Sequence, residues 1–275
     1  MPIDPSIVST LVFLHAHPDD EAITTGGSIA RAAAEGHRVV IVVATDGALG
    51  ESPDDLAPEE SVRDRRVQEM EASAAVLGAQ RVAWLGYADS GMTGWEQNTS
   101  PDSFHLADVV EAGERLAAIL REERADVLVA YDWHGNYGHP DHIKVHHVGY
   151  AGAELAGTPA VYEATVNRDA MRRRMAELAE FAREAGAEGE DFDADSPADD
   201  GNPMGEPETE ICLRVDVGDY VRQKREALAQ HRSQVGDQHF FSQMSDEVFR
   251  AAFGTEWFKQ RGVAGPPREG WLVAT

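Results

Sequence analysis

Residues 8–44 read VSTLVFLHAHPDDEAITTGGSIARAAAEGHRVVIVVA. Val8–His15 is a short apolar, β-branched run that predicts a strand, and Val39–Ala44 is a second, uninterrupted one. Runs without polar alternation suit strands buried on both faces of a parallel sheet. Between them, Ala22–Glu35 is alanine-rich and predicts a helix stopped by Gly36. The same alternation continues with a helix over Val62–Leu77 ending at Gly78, a strand over Arg81–Leu85, a helix over Asp108–Glu123 and a strand over Val127–Tyr131. The order β-α-β-α-β-α-β predicts an α/β, Rossmann-like, doubly wound and mostly parallel sheet.

Beyond Tyr131 comes a loop dense in Gly, His and Pro, then a helix from about His142 to Leu155 and a strand over Val161–Val166. A smaller C-terminal portion follows. It opens with a doubly charged helix over Arg168–Glu184, and residues 185–210 are so acidic and rich in Gly and Pro that they predict a mobile loop. A strand over Ile211–Val215, a helix over Tyr220–Gln230 and a mixed segment carrying Phe240, Phe241, Phe249, Phe253, Trp257 and Phe258 complete the chain. There is no internal repeat.

Among the 275 residues, 24 Lys and Arg face 49 Asp and Glu, a formal net charge of −25. Such a surface repels nucleic acid and anionic membranes, so neither is expected as a partner. The single cysteine, Cys212, excludes an intramolecular disulfide and a thiolate zinc site. The first residues, MPIDPSIVST, do not read as a signal peptide, and no apolar run reaches the length of a membrane span. The chain therefore reads as cytoplasmic, with room for a homo-oligomer.

The chemistry concentrates in two loops. His15-Ala16-His17-Pro18-Asp19-Asp20-Glu21 directly follows the first strand. In a parallel α/β sheet, ligands bind at the carboxyl ends of strands. Imidazole and carboxylate suit a catalytic metal, which needs three protein ligands and one open position. His17 and Asp20, three apart across a turn, can face one ion, which leaves Asp19 free as a base. Tyr131-Asp132-Trp133-His134-Gly135-Asn136-Tyr137-Gly138-His139-Pro140-Asp141-His142 follows the fourth strand and opens on the same sheet edge. There His142 can complete the triad, His139 and Asp141 offer an imidazole and a carboxylate to orient it, and Tyr137 offers a phenol. Two histidines and one aspartate suit zinc and also ferrous iron.

His17-Pro18-Asp19-Asp20-Glu21 taken with His139-Pro140-Asp141-His142 resembles the PIG-L/LmbE-like de-N-acetylases, firmly over residues 8–160 and more loosely beyond. Within that family the chain looks most like the mycothiol-pathway enzymes, an N-acetylglucosaminyl-inositol deacetylase and a mycothiol-conjugate amidase. The resemblance implies that His17, Asp20 and His142 bind zinc and that Asp19 is the general base. It implies that Tyr137 polarises the acetyl carbonyl, and that His139 assists with Asp141 setting its tautomer. Arg66-x-x-Glu69 and Asp89-Ser90-Gly91-Met92 look like that branch's substrate-binding stretches, with Arg66 and Asp89 on sugar or inositol hydroxyls and Met92 beside them. The implied reaction is hydrolysis of an N-acetyl group on a small N-acetylglucosamine derivative, with cleavage of a thiol conjugate as the alternative. Residues 1–165 would then be the catalytic core and 166–275 would complete the fold and the pocket rim.

The chain departs from that branch at Thr45–Glu51, where the register of Glu51 shifts, and at Trp95–Phe104, which is short. His15, His146 and His147 read as supporting or packing residues. His231-Arg232-Ser233-Gln234 reads either as part of a rim or as a plain helix end, and His239 carries no assignment. A nucleotide-binding role is disfavoured, because no Gly-x-Gly-x-x-Gly follows the first strand and Gly26-Gly27 is the only nearby pair.

Overall fold

The structure is a computed structural model and describes residues 8–184, 193–263 and 265–273. The chain runs β1 (Thr10–His15), a π-helical turn (Glu21–Thr25), α1 (Gly26–Ala34), β2 (Arg38–Thr45), α2 (Val62–Leu77), β3 (Arg81–Tyr87), α3 (Val109–Glu123), β4 (Val127–Tyr131), α4 (Pro140–Ala156), β5 (Ala160–Thr165) and α5 (Arg168–Glu184). It continues through β6 (Leu213–Asp216), α6 (Val221–Leu228), α7 (Phe240–Gln243), α8 (Asp246–Phe253), β7 (Thr255–Lys259) and β8 (Arg268–Glu269). The eight strands form one sheet in the order β3-β2-β1-β4-β5-β7-β6-β8. β3 to β5 are parallel to their neighbours within that half, and β7 runs antiparallel to both β5 and β6. The expected doubly wound sheet is present. Chain order reverses between β1 and β4, and that crevice is where such sheets bind ligands.

Alternate residues of β1 feed two cores. Leu11 and Phe13 pack with Ile29, Met70 and Leu77 from α1 and α2, while Val12 and Leu14 pack with Leu116 and Val145 from α3 and α4. Helix ends follow sequence signals: Ser61 and Asp64 form a capping box on α2, and Gly78 ends it in the left-handed region. The helix expected over Ala22–Glu35 instead opens with the π-helical turn, which sits beside the site, as such turns often do.

β7 is the element the sequence reading did not separate from its aromatic surroundings. It enters the sheet between β5 and β6 and buries Phe258 in the first core. Its Glu256 accepts the backbone N–H groups of Gly27 and Ser28 at 2.9 Å each and pairs with Lys224 Nζ at 2.6 Å. A carboxylate from the C-terminal portion thus caps α1, where the helix dipole favours it. Gly27 is required there, because an added Cβ would lie 2.5 Å from Val217.

Of the acidic stretch 185–210, residues 185–192 lie outside the described residues, and 193–210 differ from a free loop. The Asp199 N–H donates to Tyr137 O, the Gly205 N–H to Asn136 O and the Glu206 N–H to Val166 O. Asp199 Oδ2 also accepts the Thr93 N–H at 3.2 Å. Backbone pairing, which composition does not reveal, thus ties this segment to the loops after β3 and β4.

Candidate metal centre and active site

Three loops meet at the β1/β4 crevice. The loop after β1 supplies His17, Asp19 and Asp20, the loop after β3 supplies Asp89 and Ser90, and the start of α4 supplies His139, Asp141 and His142. The turn before α4 is tight. Gly135 has φ +66, and a Cβ there would stand 2.2 Å from that of His142, so only glycine lets the loop press against this helix. Pro140 opens α4, and the His139 ring caps it.

Asp20 lies between two imidazoles. Its Oδ2 is 3.5 Å from His17 Nδ1 and 3.3 Å from His142 Nε2. Donors each about 2.0–2.1 Å from a common tetrahedral ion stand roughly 3.3–3.4 Å apart, and both Asp20–imidazole pairs are close to that spacing. The other ring atom of His17, Nε2, faces Asp141 Oδ2 at 3.2 Å and Asp89 Oδ1 at 3.5 Å. Protonated Nε2 leaves the Nδ1 lone pair free for a cation, an arrangement usual in carboxylate–histidine–metal sites. Donor atoms of His17, His139 and His142, and those of His17, Asp89 and Asp141, lie within 4.8 Å of one another, and Asp20 joins this cluster through its two imidazole contacts. The second of these groups is accounted for by His17 donating to two carboxylates.

Burial alone would depress the His17 imidazole, but Asp89, Asp141 and Asp20 lift it well above its ordinary value. Burial works to raise Asp20, and His142 and His17 outweigh it, holding the carboxylate well below the usual range. Such a cluster of opposed groups is what a cation replacing a proton requires.

Asp19 stands apart from the triad with φ +115, a rare conformation for a residue with a side chain. Burial raises its carboxyl, tempered by Arg66, whose Nη2 lies 3.1 Å from Asp19 Oδ2. Arg66 is buried and also donates to Gly47 O and Pro18 O. The structure therefore places it against the first loop rather than on an open wall. The surface ion pairs of α2 belong to Arg65, with Glu60 at 2.7 Å, and to Arg63, with Asp46 at 3.7 Å. Asp89 accepts the N–H groups of Leu49 and Gly91, so both its oxygens are already engaged, while Met92 is exposed.

Tyr137 is half-buried with its hydroxyl 3.5 Å from His142 Nε2, and burial together with Asp20 and Asp19 pushes the phenol well above its usual value. His139 is held down to about 3 by burial and by the His17 and His142 imidazoles. Its Nδ1 accepts the Asp141 N–H at 3.1 Å, which leaves its proton on Nε2. The Asp141 backbone, not its carboxylate, thus sets that tautomer. The carboxylate instead faces His17 and accepts both the Ser90 N–H and the Ser90 hydroxyl.

Several supporting contacts escaped the sequence reading. Ser90 orients Asp141. Tyr131 stacks on His142 with ring centroids 4.8 Å apart, and its hydroxyl meets His15 Nδ1 at 2.8 Å. His15 is kept neutral by burial, its value lowered to about 4. Glu21 and His231 pair at 2.7 Å although 210 residues separate them.

A family model described as PIG-L, GlcNAc-PI de-N-acetylase, matches residues 12–153. A 1D-myo-inositol 2-acetamido-2-deoxy-alpha-D-glucopyranoside deacetylase of Streptomyces avermitilis is 39% identical over 279 residues, covering 94% of each chain. The enzyme of that name from Thermobispora bispora is 36% identical, covering 93% of this chain and 89% of its own. Among solved structures, the N,N'-diacetylchitobiose deacetylase of Pyrococcus horikoshii superposes with a TM-score of 0.56 at 22% identity, over 96% of this chain and 88% of its own. That last likeness shows the fold.

Proposed function

The chain belongs to the PIG-L family of de-N-acetylases, and we propose that it removes the acetyl group from a GlcNAc-inositol-like sugar with a zinc ion held by His17, Asp20 and His142. N-deacetylation of a GlcNAc derivative follows from the relatives. The observation that carries it is Asp20 Oδ2 standing at ligand spacing from His17 Nδ1 and His142 Nε2, with Asp19 beside them. We assign residues 1–165 to the catalytic core and 166–275 to completing the fold and the pocket rim. Relatives named for acetyl removal favour this over cleavage of a thiol conjugate.

Zinc supplies a Lewis acid that acidifies water and polarises a carbonyl. The chain's own groups do the rest. Asp19 takes a proton from the attacking water as its oxygen adds to the acetyl carbon, and a raised carboxyl pKa suits that task. The Tyr137 hydroxyl, kept neutral by its surroundings, and the His139 Nε2–H donate to the carbonyl oxygen as it gains charge. When the C–N bond breaks, Asp19 returns its proton to the nitrogen, and acetate and a free amine leave.

Free-amine release from N-acetylglucosaminyl-inositol, followed with zinc-loaded, ferrous-loaded and chelated enzyme, tests the reading. We expect release that chelation abolishes and zinc restores. A protein that binds one metal but releases no amine would overturn the substrate assignment, and one that binds no metal would overturn the site.

A further inference from the structure

We propose that His231 is a positioning residue for the base: acting through Glu21, it holds the Asp19 backbone in the conformation that presents its carboxylate to the site. The inference rests on the reading of Asp19 as the base. His231 lies just beyond α6, in the C-terminal portion, and is completely buried together with Glu21 and Ser73. Its Nε2 meets Glu21 Oε1 at 2.7 Å, and the same oxygen accepts the Ser73 hydroxyl. The other oxygen, Oε2, accepts the Asp19 N–H at 3.0 Å.

Asp19 needs such a hold. A residue with a side chain persists at φ +115 only where its surroundings over-determine it. Arg66 fixes the carboxylate and the Pro18 carbonyl, and Glu21 fixes the N–H between them. A buried carboxylate oxygen that loses a hydrogen-bond donor turns towards another, and that loosens the grip of Glu21 on the Asp19 N–H. His231 is suited to prevent this, because its ring Nε2 reaches Glu21 Oε1 at 2.7 Å from a fully buried position. His231 makes no hydrogen bond to the three candidate ligands, so its effect falls on the base and not on the metal.

Two neighbouring anchors provide an internal control. Ser233 donates through its N–H and hydroxyl to Glu69 on α2, and Gln234 exchanges two hydrogen bonds with the Glu51 backbone. Both dock the same segment without touching Asp19.

The test compares zinc-loaded full-length His231→Ala, His231→Gln and Ser233→Ala. Misplacement of a reacting group costs up to about a hundredfold, so His231→Ala should lower kcat roughly ten- to a hundredfold with KM and zinc content nearly unchanged. His231→Gln, which keeps a donor in place, should recover most of the loss, and Ser233→Ala should leave kcat near wild type. Hydrogen exchange at the Asp19 amide should speed up in His231→Ala only. The proposal is overturned if His231→Ala behaves like Ser233→Ala, if it loses zinc, or if the Asp19 amide stays protected. Should the wild type release no amine, the substrate assignment fails by itself, and the exchange comparison still decides the positioning role.

Discussion

Asp19 carries the sharpest expectation at the scale of single residues. Replacing it with Asn preserves its shape and its neighbours, so metal content should remain at one ion per chain while turnover falls by roughly 10²–10⁴, the usual worth of a positioned base. Metal analysis and amine release on the same preparation check this, and an active Asp19→Asn enzyme would mean that the base lies elsewhere. Much of the site was legible in the sequence because His17, Asp19 and Asp20 are packed into one turn and His142 closes the matching loop at the start of α4. The partner of the Asp141 carboxylate was not legible, since His17 and Asp141 meet only when β1 and β4 become neighbours. The pairing of Glu21 with His231 was still further out of reach. No local pattern links residues 210 apart, and the sequence leaves His231 open between a rim residue and a plain helix end.

Among the elements, the start of α1 joins the two portions of the chain most closely. Gly27→Ala would drive a methyl group to 2.5 Å from Val217 and disturb the Glu256 cap beside it. Overpacking of that kind costs about 1–3 kcal/mol, to be read as a lower urea midpoint at unchanged slope. A variant as stable as wild type would show that α1 and the segment around Val217 can slide apart. The parallel half of the sheet was legible because strands buried on both faces read as continuous apolar runs, as at Val39–Ala44. β7 was not, because Thr255–Lys259 alternates buried and half-buried residues over only five positions inside an aromatic stretch. Its place between β5 and β6 depends on tertiary pairing.

For the molecule as a whole, the Glu21–His231 pair makes stability depend on pH in both directions. Burial raises Glu21, but His231 lowers it further, so its contribution is whole above the unfolded value of about 4.3 and fades as pH falls through the folded one. His231 is raised overall, so its contribution is whole below about 6.5 and fades as pH rises through the folded value. The destabilisation caused by His231→Ala in the metal-free protein should therefore be largest between those values and shrink towards pH 9. Urea midpoints for the two proteins at pH 5.5, 7 and 9 measure it, and a gap that widens with pH would contradict a charged pair. The order of the strands also has a consequence for synthesis. β5 leaves the ribosome long before β7, its antiparallel neighbour, so the nascent chain carries an uncovered strand edge until residue 259 has been made. During that interval the bare β5 edge is open to pairing with strands of other chains.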